Sequence, residues 1–261
     1  MDILQAVIIA IVEGLTEFLP VSSTGHMIIA SSLMGIEKEE FTKLFTVAIQ
    51  LGAIMAVVVL YWRKFFDFKK WQFYLKLIVA VIPAIILGLL FSDKIDALLE
   101  SPTTVGITLI LGGIILLFID RFFQRAAISE ESEISFRKSF VIGMWQCIAM
   151  VPGVSRSAAT IIGGMQQGLS RKLAAEFSFY VAVPTMAAAT GYKLLKGYES
   201  FTSEHVKLLA IGNLVAFVVA IIAIRFFIGF LQKYGFRIFG WYRIIAGIIL
   251  LILIWQGLIV E

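Results

Sequence analysis

Glu13 and Glu17 stand four residues apart in an otherwise apolar stretch, which places both carboxylates on one face of a helix. Two acids that close in an apolar setting do not both stay ionised unless a cation compensates. A Mg²⁺ or Ca²⁺ ion bridging them to phosphate oxygens is one solution, although two carboxylates are half a ligand set. A protonated carboxyl serving as acid or base is another, and a pair facing an aqueous vestibule near the helix start is the non-catalytic one. Just downstream lie Pro20, Ser22, Ser23 and Thr24, and then His26. The hydroxyl residues suit the N-cap of a new helix, and an imidazole near them suits proton transfer close to neutrality. Ser23 is a candidate nucleophile; the rival is direct attack by water, with Ser23 only binding and Glu17 as an alternative base.

A second constellation, Pro152-Gly153-Val154-Ser155-Arg156-Ser157, interrupts another apolar region, with Thr160 one turn further on. An unpaired arginine at membrane depth costs at least about 2.5–3.5 kcal/mol, so Arg156 needs a partner. Its guanidinium matches phosphate through two parallel hydrogen bonds, or forms a structural pair with Glu13, Glu17 or Glu176. Helix N-termini carry free N–H groups and partial positive charge, so two of them meeting in one cavity form an anion site. Ser22, Ser155, Ser157 and Thr160 are then candidate phosphate contacts, against the plainer alternative that their hydroxyls cap and pack broken helices. Gln50 faces either the cavity or another helix, and Glu176 faces either the site or a local cap. His205 reads as inert, Arg225 as snorkelling, and Gly112-Gly113 and Ala187-Ala188-Ala189-Thr190-Gly191 as close helix packing.

The elements that must position these residues follow from composition. Of 261 residues, 60% are hydrophobic and only 15% charged, against about 25% charged in soluble domains. This excludes a soluble globular protein, a disordered chain and a nucleic-acid binder; the net charge of +4 fits basic loops at a membrane. The lone Cys147 forbids an internal disulfide, and Met1–Ala10 lacks the basic region of a removable signal. Six stretches reach the roughly 20 apolar residues of a span, at 42–62, 71–91, 103–121, 173–192, 206–230 and 238–258. Residues 3–34 and 138–168 are each broken near the middle and read as re-entrant helix–loop–helix pairs, tolerated at that depth where they line a cavity.

The two breaks look like copies. Glu13 precedes Ser22 by the same interval that separates Gln146 from Ser155, and Phe45-Thr46-Val47 matches Phe177-Ser178-Phe179 further on. Each half, about 1–125 and 133–261 of a single membrane domain, is one re-entrant pair and three spans. An odd number of spans inverts the second half, and an inverted repeat places its shared site near the midplane. The basic loop with Arg63, Lys64, Lys69 and Lys70 reads as cytoplasmic, together with 121–138 (including Arg125), Arg171, Lys172, Lys233 and Arg237. Both termini, 36–41 and 92–102 then lie outside, with Lys193 and Lys196 against the trend. The expected fold is an all-α polytopic membrane protein.

Glu13-Gly14-Leu15-Thr16-Glu17-Phe18-Leu19-Pro20-Val21-Ser22-Ser23-Thr24-Gly25-His26 resembles the first signature of the bacterial undecaprenyl-pyrophosphate phosphatase family of the bacitracin-resistance type. Pro152-Gly153-Val154-Ser155-Arg156-Ser157-Ala158-Ala159-Thr160 resembles its second, and the similarity runs over essentially the whole chain. The resemblance implies an integral membrane hydrolase that converts undecaprenyl pyrophosphate to undecaprenyl phosphate and inorganic phosphate. Such a reaction recycles the lipid carrier for peptidoglycan synthesis and confers bacitracin resistance. It also implies a site of Glu13, Glu17, Ser23, His26 and Arg156, with Ser155 and Thr160 on phosphate. A divalent cation and a multi-pass place in the bacterial inner membrane, with the active face periplasmic, are further implications. The expected partners are the polyprenyl pyrophosphate lipid and the bilayer; a homodimer is left open. The alternative of another class is a secondary transporter or lipid-phosphate flippase using the same anion site; a purely structural subunit leaves Arg156 unexplained.

Overall fold

A computed structural model describes residues 1–91, 95, 101–123, 126–197 and 202–259. Most of the 92–102 connection and Arg125, both used above to orient the chain, lie outside the described residues. The first broken region is α1 (Ile3–Thr16) and α2 (Ser23–Leu33). Asp2 starts α1 through a capping box with Gln5, and Ser22 caps α2. A span follows as α3 (Glu40–Ala48) and α4 (Gln50–Leu60), jointed at Ile49, and α5 (Trp62–Phe65) ends it. Two long helices, α6 (Trp71–Leu90) and α7 (Pro102–Phe122), complete the first half.

The second half repeats this order. A single 3₁₀ turn (Glu131–Glu133) leads into α8 (Phe136–Ile148) and α9 (Arg156–Gln166), broken between them and capped by Ser155. Three long helices follow: α10 (Arg171–Gly197), α11 (Ser203–Tyr234) and α12 (Arg237–Trp255). The chain is all-α, and among the described residues six helices are long and apolar enough to cross a membrane, at Glu40–Leu60, Trp71–Leu90, Pro102–Phe122, Arg171–Leu195, Ser203–Tyr234 and Arg237–Trp255. All six spans read from the sequence are present within a few residues.

Packing follows the same pairing when the halves are exchanged. Helix α1 lies on α11 and α8 on α6, while α7 packs along α12 and α4 on α10. Small residues set the close approaches. Gly113 and Gly240 meet across α7 and α12, each leaving its Cβ position less than 3 Å from the other's carbonyl. Gly143 of α8 similarly meets the carbonyl of Ala80 on α6. The run Ala187–Gly191 does not pack as expected. Ala187, Ala188 and Ala189 are exposed and Gly191 has open space, so only Thr190 makes the close contact, donating to the Val47 carbonyl.

The loops gather on two faces. On one, Lys64 pairs with Glu131, Arg171 with Asp120, and the Phe236 N–H donates to Asp120. Lys76 reaches the same face from within α6, nearly inaccessible and bonded to the Glu131 carboxylate and the Glu131 and Ser132 carbonyls. On the other face the N-terminal ammonium pairs with Glu39, and Phe41 stacks on His205. The charge reading assigned these groups of loops to opposite sides.

Adding a side chain at Gly143 forces α8 off α6. Gly143→Val is therefore expected to cost about 1–3 kcal/mol, read as a lower thermal midpoint of the purified protein in detergent, whereas Gly191→Ala leaves it unchanged.

Candidate active site

Both breaks turn on the same residue type in the same conformation. Ser22 (φ 70°) and Ser155 (φ 72°) are the non-glycine residues with positive φ among the described residues. Each occupies a strained region that costs roughly 1–3 kcal/mol and persists only where surroundings over-determine it. Ser22 Oγ accepts from the Gly25 N–H and Ser155 Oγ from the Ala158 N–H. Gly153, with φ 84°, precedes the second turn where a Cβ would strike Thr108 and the Val105 carbonyl. The two turns meet over a cavity of about 140 Å³ lined by Glu17, Ser22, Ser23, Thr24, Gln50, Pro152, Gly153, Ser155, Arg156 and Met186, with Ala149 and Met150. The first N–H groups of α2 and α9 have no carbonyl one turn back to accept them, so both helix ends present donors there.

Glu17 joins the halves. Its Oε1 accepts from Arg156 Nη2 at 2.9 Å, and its Oε2 accepts from Ser23 Oγ at 2.6 Å. Arg156 is steadied from α10, where Nη1 donates to the Ser178 carbonyl at 3.0 Å and to Ser178 Oγ at 3.3 Å. Its guanidinium lies 5.9 Å from the Phe18 ring, and its Nε has no acceptor among the described residues. A hydroxyl held by a carboxylate that is itself oriented by a third group is the arrangement of an activated nucleophile. Arginine thus pairs with one of the three glutamates considered for it, and retains a buried donor beside the cavity.

Glu13, one turn before Glu17, is fully buried, and neither carboxylate oxygen meets a donor among the described residues. A carboxylate so placed requires a proton or a cation. Among the described residues no three His, Cys, Asp or Glu side chains cluster to hold a metal. The two Glu13 oxygens are thus free to meet a proton or a cation, whereas both Glu17 oxygens already accept from Arg156 and Ser23.

The other expected site residues divide. Ser22 and Ser155 line the cavity. Ser157 and Thr160, expected on phosphate, are fully buried outside its lining. Ser157 Oγ donates to the Leu19 carbonyl at 2.8 Å, tying the second turn to the first. Thr160 Oγ1 lies 2.6 Å from Ser178 Oγ and donates to the Arg156 carbonyl, so it supports the arginine from behind. Both face inward because the α9 side chains from Ser157 to Met165 are all buried. His26 is also outside the lining; its Nδ1 lies 2.7 Å from the Ser22 carbonyl and its Nε2 2.6 Å from Tyr242 Oη. Gln50 lines the cavity, whereas Glu176 borders a second cavity of about 360 Å³ on the loop face near Lys64, Lys70 and Glu131.

Sequence reasoning missed Arg243. It is 0% exposed in α12, and its Nε donates to Leu109 O, Nη1 to Pro20 O and Val154 O, and Nη2 to Thr108 O and Gly153 O. One side chain thus holds both turns and α7. Gly112 gives it room, because a Cβ there would strike the guanidinium. The available signal was a charge six residues inside an apolar span. Ser178 carried no such signal, since a small hydroxyl residue in a long helix reads as packing.

This is a polytopic α-helical membrane protein whose two broken helices present a carboxylate–serine–arginine constellation to a small anion-suited cavity. Residues 6–249 match the family described as bacitracin resistance protein BacA, and the chain belongs to that family. It is 60% identical over 256 residues to the undecaprenyl-diphosphatase of Flavobacterium psychrophilum, covering 97% of this chain and 96% of the relative. The undecaprenyl-diphosphatase of Porphyromonas gingivalis is 53% identical over 279 residues, with 98% of each chain covered. That of Enterococcus faecalis is 42% identical over 267 residues, with 97% of each covered.

Replacing Arg243 with Met takes the guanidinium from five carbonyl oxygens, three of which, those of Pro20, Gly153 and Val154, lie outside any helix. A loss of at least about 3 kcal/mol is expected, seen as a lower thermal midpoint in detergent together with loss of activity. Arg243→Lys, with three donors, should fall between wild type and Arg243→Met.

Proposed function

We propose that this chain is an undecaprenyl-diphosphatase, a membrane hydrolase that removes the terminal phosphate of undecaprenyl pyrophosphate and releases undecaprenyl phosphate. The product re-enters cell-wall synthesis as the lipid carrier, and lowering the pyrophosphate form confers bacitracin resistance. Family membership and identity over nearly the full length of the relatives support the reading. The observation that carries the chemistry is the 2.6 Å hydrogen bond from Ser23 Oγ to Glu17 Oε2 beside Arg156. Binding and transport of an anion require no such activated hydroxyl, which favours hydrolysis over a transporter or flippase.

In the proposed reaction the pyrophosphate enters the cavity while the prenyl chain, too large for about 140 Å³, stays in the bilayer. Arg156 and the N–H groups of α2 and α9 hold the phosphate oxygens. Ser23 Oγ attacks the terminal phosphorus and its proton passes to Glu17. The bond from that phosphorus to the bridging oxygen breaks, and the lipid monophosphate leaves with the electron pair. Water then attacks the phosphoserine and passes a proton to the departing phosphate, while the Ser23 oxygen leaves and takes back the proton held by Glu17. Catalysis is mostly positioning and charge stabilisation, as is usual for phosphoryl transfer. Glu13 with Glu17 would hold a Mg²⁺ or Ca²⁺ ion, which when bound neutralises charge on the phosphate oxygens. Ser22 and Ser155 orient the turns and border the substrate.

The finer topology belongs to the same proposal. The two halves form an inverted repeat of re-entrant pairs and spans, supported by matched Ser22 and Ser155 turns and exchange-symmetric packing. The face carrying Arg63, Lys64, Lys69 and Lys70 is cytoplasmic, supported by its basic charge, and the cavity opens to the periplasmic or outer side of the inner membrane.

The test uses purified protein in detergent micelles with undecaprenyl pyrophosphate, where no second compartment exists. Wild type should release phosphate, and Glu17→Gln should lower turnover by about 10²–10⁴-fold. Acid-quenched single turnover with labelled terminal phosphate should trap a phosphoserine absent from Ser23→Ala; near-normal turnover by Ser23→Ala would reject covalent catalysis. Chelator should abolish activity and added Mg²⁺ or Ca²⁺ restore it, with Glu13→Gln needing a higher ion concentration.

A further inference from the structure

The Arg243 guanidinium does not brace the two turns equally. At the second turn it holds the carbonyls of Gly153 and Val154, the two residues leading into Ser155. At the first it holds only Pro20, while the Val21 N–H turns back to the Leu19 carbonyl. The strained Ser22 (φ 70°) therefore gets its bracing from elsewhere. Its carbonyl lies 2.7 Å from His26 Nδ1. A carbonyl oxygen only accepts, so Nδ1 carries the proton, and a neutral ring leaves Nε2 as an acceptor. The atom facing Nε2, at 2.6 Å, is Tyr242 Oη, so the phenol donates. The two rings lie parallel, 3° apart in plane angle with centroids at 5.4 Å.

We infer that Tyr242 is a positioning residue for the reaction: its hydroxyl fixes the tautomer and orientation of His26, and through the His26–Ser22 hydrogen bond it holds the first turn in the shape that presents Ser23 to Glu17. Helix α12 thus steadies the first turn with consecutive side chains, Tyr242 through His26 and Arg243 through Pro20. His26 contributes to catalysis as the middle of this strut, in keeping with its absence from the cavity lining. A Tyr242 that merely buried its ring would do so poorly, since 46% of it is exposed. Its polar contact is the hydroxyl, 2.6 Å from His26 Nε2.

The inference rests on the phosphatase reading, and the experiment separates the two. Steady-state kinetics on undecaprenyl pyrophosphate in detergent are compared for wild type, Tyr242→Phe, His26→Ala and the double variant. Tyr242→Phe keeps the ring and removes one hydrogen bond. It should lower kcat about three- to tenfold, the loss expected for a single such bond, with KM within twofold and an unchanged thermal midpoint. In the His26→Ala background the same change should have no further effect, because the strut is already cut. Tyr242→Phe within twofold of wild type, or a loss that multiplies independently with that of His26→Ala, overturns the inference. Inactive wild type instead overturns the phosphatase reading itself.

Discussion

A broken helix inside a membrane leaves carbonyls that no water and no helical N–H can satisfy. Arg243 meets that constraint at both turns, through the carbonyls of Pro20, Gly153 and Val154. Its five N–H groups meet five carbonyls, from α7, the first turn and the second turn. No carboxylate is among these partners, so the charge is offset by carbonyl dipoles. Together with the Ser157–Leu19 and Arg156–Glu17 contacts, this hub sets how far apart the two turns stand. Around it, Gly112 clears space for the guanidinium and Gly113 with Gly240 brings α7 and α12 together.

The chemistry is assembled across the halves in the same way. Ser23 and Glu17 belong to the first turn, Arg156 to the second, and Ser178 holds the arginine from α10. A serine and a carboxylate alone would leave the carboxylate free to rotate. With Arg156 fixing Oε1, Oε2 is aimed at the Ser23 hydroxyl, and the buried ion pair also answers the desolvation cost that either charge alone would bear. Ser157 reinforces the join by donating to the Leu19 carbonyl. The two turns thus contribute differently: the first carries Ser23 and Glu17, and the second carries Arg156.

The strongest signals in the sequence were those with a direct physical cost. Length and apolarity fixed six spans to within a few residues, because a helix must be about 20 residues long to cross a bilayer. Pro20 and the Ser22-Ser23-Thr24 run, with Pro152-Gly153, marked both breaks, since proline removes a ladder donor and the hydroxyl residues favour the start of a new helix. Arg156 announced a partner because an isolated charge there is costly. Weaker signals were those where a residue type admits several jobs. The alanine run 187–189 is small, yet it is exposed rather than packed. Ser157 and Thr160 are hydroxyl residues at phosphate-like spacing, yet the face of α9 that carries them is buried against protein.

The sequence by itself determined an all-α membrane protein, two matched interruptions and a short roster of acids, hydroxyls and one arginine, because these follow from local composition and spacing. Tertiary structure alone decided which glutamate meets Arg156, which oxygen meets Ser23, and that His26 turns to Tyr242. It also gave Arg243 its place as the common anchor of both turns. Apart from the short-range Ser23–Glu17 contact, those choices depend on contacts between residues more than a hundred positions apart, and no local pattern encodes the orientation in which two distant helix ends come to rest.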